Sequence, residues 1–474
     1  MSGLPISNAA KNMPRISERY MDGSILLAVT PAPGHVNPML AIACHLQKRG
    51  HSVLFNTAEV FREQVESKGI RFIPLTGKAN LDYRTFNKFL LQGQTLTPGP
   101  EEMIHNIQHV FGDTMLDQCE GIEDILALEP VSLILADFTF SGILPLLLSP
   151  NAADRPPIIS FGVSPMVLSS VDASLFGPVT TGDARERNRE ESERFQASIA
   201  CANEYIDDLL RGYGCMPLPG SFFDSLYTLP DLFLQLTAKA FEFQRTDLPD
   251  HVKFVGPVLP ESSSAFQRPR WWKELDGSKR VVLVTQGTIA NADLNDLIGP
   301  TIIALATENV TVIAATGKPV ETLTTPVPSN ARVTPFVPFA ELLPKVDVFV
   351  TNGGYGAVNQ ALSTGIPMVV AGETEDKAFV AARVAWAGAG INLRTSRPTP
   401  EQVREAVREV LNDSTYRRTA RRIQKNFARY DALDRISRHV DSLLRRHSHS
   451  SATMPVAPLA RTSIQQEFAP LVSN

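Results

Sequence analysis

The sequence predicts an α/β protein with two halves of similar design, each built on a doubly wound parallel sheet. Over residues 24–255, short apolar runs alternate with segments of helical period, as strands and helices do in such sheets. A looser stretch follows at residues 256–278, and the same alternation then restarts at Arg280. In the second half, residues 349–362 run from a buried strand through a glycine-rich turn into a helix.

The elements of the first half follow from these patterns in order. Apolar runs predict strands at residues 24–30, 51–56, 71–74, 131–136, 157–161, 232–236 and 252–255. Helical spacing predicts helices at residues 36–49, 59–68, 103–128 and 183–211. Residues 76–100 form a long polar connection, and loops of that length inside a compact domain are often functional.

The second half repeats the scheme. Strands are predicted at residues 280–285, 310–315, 332–335, 346–350 and 367–371, with a helix at 292–307 and helical sequence from Pro400 onward. The expected organisation is a flexible leader (1–20), a first domain (21–255), a linker (256–278), a second domain (279–429), a helix (430–447) and a disordered tail (448–474).

Composition narrows the class of protein. With 474 residues, 43% hydrophobic and 20% charged, the chain resembles an ordinary soluble globular protein of two or three domains. A net charge of -5 disfavours a general nucleic-acid binder. The four cysteines have no metal-binding spacing, and the apolar run at residues 143–148 is far too short to cross a bilayer. We therefore expect a cytoplasmic protein without a transmembrane segment.

The turn within residues 349–362 is a candidate anion site. A strand that passes through Asn352-Gly353-Gly354 into a helix directs several backbone N–H groups and the positive end of a helix dipole at one small volume. A diphosphate is the anion that fits best. An ordinary turn whose glycines only relieve backbone strain is the alternative.

A candidate catalytic pair lies in the first half. His35 follows the first predicted strand, where parallel sheets place their ligands, and a histidine there can act as a general base. Asp137 ends another strand of the same sheet and could hold the far ring nitrogen of His35. The alternatives are a helix-start histidine bonded to backbone and an aspartate that caps a helix.

Two motifs are missing. The chain contains no Asp-x-Asp pair of the kind that holds a divalent metal on a nucleotide sugar. It also lacks the GxGxxG fingerprint, which disfavours an NAD-dependent oxidoreductase. We expect neither a metal site nor a bound cofactor.

These residues resemble the family 1 glycosyltransferases of GT-B fold, which transfer sugars from nucleotide sugars to small lipophilic acceptors. The resemblance covers about residues 24–445. It rests on the GHVNP segment that contains His35, on residues 334–393, and on residues 374–386 (TEDKAFVAARVAW), which resemble a fungal and bacterial subgroup. It implies two Rossmann-like domains that face each other across a cleft, and a C-terminal helix that crosses back to the N-terminal domain.

The resemblance also implies roles for individual residues. His35 takes the position of the general base and Asp137 that of its partner. Phe336 stands where the family usually has a tryptophan that stacks on uracil, and Val337 offers backbone contacts to the base edge. The residues expected to bind the nucleotide sugar are Gly34, Gly287, Thr288, Phe336, Val337, Asn352, Gly353, Gly354, Gly356, Ala357, Val358, Gln360, Asp376 and Lys377.

Three residues depart from the family pattern. Asn352 replaces a histidine and can offer a phosphate only a neutral hydrogen bond. Gln360 replaces a glutamate that holds the ribose hydroxyls, and it keeps one acceptor oxygen. Lys377 replaces the glutamine of a sugar-contacting Asp-Gln pair, which leaves the identity of the sugar open.

The expected acceptor site lies in the first half. Its candidate lining residues are aromatic or large and apolar: Phe86, Phe89, Phe138, Phe140, Met166, Phe176, Phe222 and Phe223. Each of them is individually more typical of a core residue. Together they fit a flat phenolic, flavonoid, polyketide or sterol acceptor.

The expected reaction is transfer of a hexose, glucose first, from a UDP-α-sugar to a hydroxyl group by direct displacement, giving a β-glycoside. A sugar-nucleotide epimerase and a catalytically silent binding protein are the alternatives. Residues 415–446 hold ten Arg or Lys against three acids, which indicates a solvated face and leaves a weak peripheral membrane contact as a minor alternative.

Overall fold

The computed structural model describes residues 23–82, 99–179, 183–260, 266–287 and 291–450, with side chains up to residue 447. Three predicted site residues, Phe86, Phe89 and Thr288, lie outside these ranges, as do the predicted leader (1–20) and residues 451–474 of the predicted tail. The last helix continues to Ser450, which corrects the expectation that helical structure ends at residue 447.

The first half forms a seven-stranded parallel sheet with the order β3-β2-β1-β4-β5-β6-β7. Helices cover both of its faces, so its central strands are buried on both sides and read as continuous apolar runs. The strands are β1 Ser24–Ala28, β2 Val53–Thr57, β3 Arg71–Pro74, β4 Val131–Asp137, β5 Ile158–Gly162, β6 Leu232–Gln235 and β7 Val252–Phe254.

The helices of the first half include one that changes its winding. Residues Asn106–Gly112 form a π-helical segment inside what the sequence predicts as a single helix at residues 103–128. The α-helices are α1 Pro33–Lys48, α2 Arg62–Glu66, α3 Pro100–His105, α4 Asp113–Leu128, α5 Ile143–Leu148, α6 Ala184–Ser198, α7 Ala200–Gly212 and α8 Phe222–Thr228.

The second half forms a six-stranded parallel sheet with the order β10-β9-β8-β11-β12-β13. Two hydrophobic clusters lie on its opposite faces. The strands are β8 Arg280–Thr285, β9 Val310–Ala315, β10 Ala331–Thr334, β11 Val348–Thr351, β12 Met368–Val370 and β13 Gly390–Asn392. The helices are α9 Ile298–Leu305, α10 Phe339–Leu342, α11 Tyr355–Ser363, α12 Lys377–Trp386, α13 Pro400–Asn412, α14 Ser414–Phe427 and α15 Ala432–Ser450.

The helix predicted at residues 292–307 begins later than expected, at Ile298. The side-chain oxygen of Gln286 accepts hydrogen bonds from the backbone N–H groups of Leu297 and Ile298, at 3.3 and 3.0 Å. Because this distant glutamine satisfies the first N–H groups of the helix, the local sequence alone does not mark the start.

We call the two halves of the chain the first and second lobes. The last helix packs back on the first lobe, as the family resemblance implies. Ile436 and Val440 of α15 are buried in the hydrophobic cluster of the first sheet. Asp441 lies 3.2 Å from the guanidinium of Arg49 and 3.4 Å from His51, both next to the end of α1. Within the described part of the chain, no helix is both long and apolar enough to cross a membrane.

Candidate active site

Both sheets reverse their strand order between two central strands, and several predicted site residues lie at or just after the ends of those strands. The reversal falls between β1 and β4 in the first sheet and between β8 and β11 in the second. Parallel sheets bind ligands at such switch points, outside the carboxyl ends of the strands. Residues that follow both switch points line one cavity of about 1770 Å³ between the lobes.

His35 and Asp137, predicted from separate strands, are in direct contact. The Nδ1 atom of His35 lies 2.9 Å from Oδ1 of Asp137. Asp137 is fully buried at the end of β4, whereas the His35 side chain is 22% exposed and lines the cavity. Since Nδ1 is held by the carboxylate, Nε2 is the nitrogen left for a ligand in the cavity.

Two threonines complete the surroundings of Asp137. Oδ1 also accepts hydrogen bonds from the backbone N–H and the hydroxyl of Thr139, at 3.0 and 2.5 Å. Oδ2 accepts from the backbone N–H of Thr30 at 2.5 Å. The carboxylate is therefore held in one orientation and satisfied on both oxygens, as a buried charge requires.

Burial and charge act in opposite directions on this pair. Burial disfavours the charged form of His35, but the charge and hydrogen bond of Asp137, with a smaller contribution from Asp376, raise the pKa of His35 above 6.5. Burial likewise opposes ionisation of Asp137, yet His35 and the bonds from Thr139 and Thr30 hold its pKa below 3.8. The arrangement favours an ionised aspartate that stabilises a protonated imidazole.

The second half of the chain contributes two similar turns to the cavity. Residues 285–287 begin at the last residue of β8 and residues 351–353 at the last residue of β11, and each has the pattern threonine, amide residue, glycine. In each turn the glycine N–H donates to the threonine hydroxyl at 3.2 Å, and the glycine has a positive φ, +71° and +95° respectively. That backbone conformation favours glycine.

The helix that starts after the second turn presents unpaired backbone N–H groups. Gly354 precedes α11 as its N-cap and provides no side-chain cap. The N–H groups of Tyr355, Gly356 and Ala357 have no acceptor within the helix, and all three residues line the cavity. This end of the helix carries partial positive charge and suits an anion.

Two residues predicted to bind the nucleotide sugar do not reach the cavity. Val358 packs its side chain in the second-lobe core and donates its N–H to Gly354 O at 3.0 Å. Gly353 is buried beneath the turn, where it only shapes the backbone. The N–H groups of α11 without a helical acceptor belong to residues before Val358, and the N–H of Gly353 donates to the hydroxyl of Thr351. A binding role for Val358 or Gly353 therefore stays a prediction.

The three residues that depart from the family pattern all line the cavity. Asn352 donates through Nδ2 to Gln286 O at 2.5 Å, so one of its two amide hydrogens bridges the two turns. Lys377 forms an ion pair with Glu375, which places its ammonium group on a neighbouring carboxylate. Gln360 is half-buried.

Asp376 stands across the cleft from the histidine. It is the N-cap of α12 and lines the cavity. Burial raises its pKa, although the positive charges of Lys377 and His35 act against that rise. Asp376 and His35 therefore each favour the charged form of the other.

Phe336 presents an exposed aromatic ring to the cavity. Its side chain is 72% exposed, which is unusual for a phenylalanine, and it lines the cavity. Val337 beside it is buried but contributes to the same wall. Gly34 and Gly287 are the remaining described residues that the sequence predicts to bind the nucleotide sugar, and both also line the cavity.

The predicted acceptor residues divide into two groups. Phe138, Phe176 and Phe223 line the cavity. Phe140, Met166 and Phe222 are fully buried in the hydrophobic cores and do not line it, so their prediction as lining residues is corrected. The structure adds lining residues that sequence reasoning missed, most of them apolar: Met103, Val110, Phe111, Val163, Val167, Leu175 and Phe195.

Other residues of the site were also missed. Thr30 and Thr139 hold Asp137, and the hydroxyl of Tyr355 accepts a hydrogen bond from Gln235 of the first lobe at 3.1 Å. Both threonines are polar residues just beyond buried strands, which is a signal that the sequence offers. The partner of Tyr355 is 120 residues away, and no local pattern reveals it.

Comparison with known proteins decides the family. Residues 25–120 match the glycosyltransferase family 28 N-terminal domain, and residues 301–437 match the erythromycin biosynthesis protein CIII-like C-terminal domain. The chain is 35% identical over 434 residues to UDP-glycosyltransferase 2 of Phaeomoniella chlamydospora, covering 88% of this chain and 95% of that protein. The chain belongs to the UDP-glycosyltransferases.

Two further similarities agree with this membership. This UDP-glycosyltransferase is 37% identical over 420 residues to 4'-demethylrebeccamycin synthase of Lentzea aerocolonigenes, covering 87% of this chain and 97% of that protein. The solved structure of CalG4, the calicheamicin glycosyltransferase, superposes with a TM-score of 0.69 at 23% identity, covering 90% of this chain and 99% of that one. The fold is GT-B, as predicted, and the protein is an enzyme of the glycosyltransferase class.

Proposed function

We propose that this UDP-glycosyltransferase transfers a hexose, glucose being the first candidate, from a UDP-sugar to a hydroxyl group of a small apolar acceptor. The carrying observation is the contact between His35 and a fully buried Asp137 at the edge of a cavity shared by both lobes. A histidine oriented in this way is suited to removing a proton from an alcohol.

The proposed reaction is a direct displacement. Nε2 of His35 takes the proton of the acceptor hydroxyl while that oxygen bonds to the anomeric carbon. The bond between the anomeric carbon and the phosphate oxygen breaks, and UDP leaves with the electron pair. Attack from the face opposite the leaving group converts an α-linked donor into a β-glycoside.

The donor would lie against the second lobe. Its diphosphate would rest on the uncapped N–H groups at the start of α11, which can stabilise the charge that develops on the leaving group. Its base would stack on Phe336, and its sugar would lie near Asp376. No group of three or more potential metal-ligating His, Cys, Asp or Glu occurs among the described residues.

The acceptor would lie in the first lobe. The wall there is mainly apolar, with Phe111, Phe138 and Phe223 among its aromatic members. Apolar and aromatic walls favour a flat lipophilic ligand. The relative from Lentzea aerocolonigenes, 4'-demethylrebeccamycin synthase, is named for a natural product, which agrees with the acceptor class proposed here.

The test is incubation of the purified protein with UDP-glucose and a panel of phenolic, flavonoid, polyketide and sterol acceptors, followed by mass spectrometry. We expect an acceptor-dependent product heavier by one hexose, with release of UDP. His35→Gln under the same conditions is the matched control. Sugar modification without acceptor would indicate an epimerase, and UDP binding without turnover of any acceptor would indicate a silent binding protein.

A further inference from the structure

Helix α12 belongs to both lobes. Its N-cap Asp376 and first residue Lys377 line the donor side of the cavity. One turn further on, Phe379 is buried in the hydrophobic cluster of the first lobe, whereas Val380 and Val384 belong to the cluster of the second. A shift of the first lobe would therefore also move α12, the helix that carries Asp376 and Lys377.

Arg383 makes the central polar contact of this helix with the first lobe. Its side chain is completely buried, and Nε donates to Oε1 of Glu242 at 2.6 Å. Nη2 donates to the backbone carbonyl of Met166 at 2.6 Å, and Nη1 lies 3.5 Å from that of Leu175. The guanidinium also lies over the ring of Phe243, 4.3 Å from its centroid.

Glu242 completes the arrangement from the first lobe. Its Oε2 accepts the backbone N–H of Met166 at 3.3 Å, so the ion pair engages both backbone polar groups of Met166. The flanking segment, residues 163–176, contributes several residues to the apolar wall of the cavity, including Val163, Val167 and Phe176. The pair thus joins the acceptor wall to the helix of the sugar-side residues.

Stability alone does not account for such a pair. A buried ion pair loses its hydration, and replacing both partners by apolar residues is often neutral or stabilising. Apolar residues cannot replace the directional hydrogen bonds of the pair, which fix the backbone of Met166 relative to α12. Direction matters in a two-substrate reaction, where a misplacement of about 1 Å can cost roughly a hundredfold in rate.

We propose that Arg383 and Glu242 are positioning residues for glycosyl transfer. They fix the position of the acceptor wall, residues 163–176, relative to helix α12 on the sugar side of the cavity. The acceptor hydroxyl is then held next to the anomeric carbon and His35. This inference rests on the proposed function. A ring contact of 5.2 Å between Phe176 of the wall and Phe379 of the helix lies on the same interface and supports it.

The test compares Arg383→Met with the double variant Arg383→Met/Glu242→Leu. Arg383→Met removes the ion-pair partner of the buried Glu242 carboxylate, and we expect a lower Tm and a kcat/KM for acceptor about 10- to 100-fold lower. In the double variant the Tm should return toward the wild-type value while kcat/KM stays low, because the bonds to Met166 are still missing. UDP affinity should change less than about twofold in both, since α11 and Phe336 are untouched.

Arg417→Met is the matched control. Arg417 is a half-buried arginine of the second lobe that donates to Asp347, and it does not line the cavity. This variant should lower the Tm without changing the KM for acceptor. Arg383→Lys keeps the charge but not the fork of donors, so its kcat/KM for acceptor should lie between the values of wild type and Arg383→Met. If the methionine variants do not fold, its kcat/KM should still be below that of the wild type.

Two results would overturn the inference. One is recovery of kcat/KM together with Tm in the double variant; the other is a wild-type kcat/KM for acceptor in Arg383→Lys. Hydrogen–deuterium exchange gives a readout that is independent of activity. Exchange at residues 163–176 should rise in both methionine variants, so a failure of the proposed function in the wild type would remain distinguishable from a failure of this coupling.

Discussion

At the scale of single residues, the proposed function depends on how the carboxylate of Asp137 orients the imidazole of His35. Asp137 is surrounded by donors from Thr30, Thr139 and His35, and it is closed off from solvent. An ionised carboxylate in this setting orients the ring of His35 and favours its protonated form. In the proposed reaction, this pair would stabilise the positive charge that His35 gains when it takes a proton from an alcohol.

We expect the pH dependence of transfer to report His35. The base must be neutral to accept a proton, and its pKa is raised above 6.5, so kcat/KM should rise with pH and level off above that raised pKa. The contribution of protonated His35 to folding stability has the opposite pH dependence. It is complete below pH 6.5 and is lost as the pH rises through the raised pKa. Stopped assays across the pH range, with thermal unfolding alongside, measure both.

The matched variant for that profile is His35→Gln. We expect turnover to fall by about 10²–10⁴-fold and the remaining rate to lose its rise with pH, while UDP affinity stays unchanged. Gln keeps a polar group of similar reach but cannot act as a base at neutral pH. Turnover equal to that of the wild type would exclude His35 as the base.

Asp137→Asn should separate charge from shape. The amide has the size of the carboxylate but no charge, so the pKa of His35 should fall, the rise of kcat/KM should move to lower pH, and the plateau rate should drop about a hundredfold or more. The wild type also draws stability from Asp137, whose lowered pKa makes that contribution present above about 3.8 and lost in acid. An unchanged pH profile would show that the aspartate does not control His35.

At the scale of elements, the sheets were the most predictable part of the molecule. The central strands are buried on both faces, so β4 and β8 appear in the sequence as apolar runs. Strand β4 ends at Asp137, which contacts His35, and β8 leads into Gly287, which lines the cavity. Strand β13 was missed, because Gly390–Asn392 is short and contains residues that rarely favour strands.

What escaped sequence reasoning depends on distant partners. Arg383 lies in a segment that resembles an amphipathic helix, yet it is fully buried because Glu242, 141 residues away, pairs with it. Phe140, Met166 and Phe222 have the same apolar character as the aromatic residues that do line the cavity. Composition cannot separate pocket from core, since both require apolar side chains.

The glycines of the donor turn provide a test at this scale. Gly353 has a φ of +95°, and an added Cβ would lie 2.9 Å from a methyl carbon of Val370, so Gly353→Ala should lower stability by about 1–2 kcal/mol. Gly354 has a φ of -57° and open space where its Cβ would be, so Gly354→Ala should fold normally.

The functional expectation for Gly354→Ala differs from that for its neighbour. Its added methyl group would occupy the space next to the free N–H groups of α11, so UDP affinity should fall about tenfold, a loss of about 1.4 kcal/mol. Calorimetric titration with UDP measures the affinity, and urea unfolding measures the stability. Wild-type affinity in Gly354→Ala would mean that the diphosphate does not rest on this turn.

At the scale of the whole molecule, the cleft exists because the lobes are joined on several sides. Tyr355 and Asn359 of α11 bond to Gln235 and Thr237 of the first lobe, at 3.1 and 2.7 Å. Helix α12 adds its buried ion pair, and α15 packs on the first lobe behind the cleft. Donor and acceptor surfaces are therefore positioned by contacts that lie outside the reacting groups.

The crossing helix α15 allows this joining to be tested apart from the chemistry. Ile436 is 1% exposed in the first-lobe core, so Ile436→Ala should lower the free energy of unfolding by about 2–5 kcal/mol. Arg446→Ala on the exposed part of the same helix is the control and should change stability little. Because Ile436 does not line the cavity, the KM for donor and acceptor should stay at wild-type values in the folded fraction. Urea unfolding with parallel kinetics decides the matter: an unchanged unfolding midpoint would mean that α15 does not stabilise the first lobe, whereas a changed KM would mean that it helps to set the cleft itself.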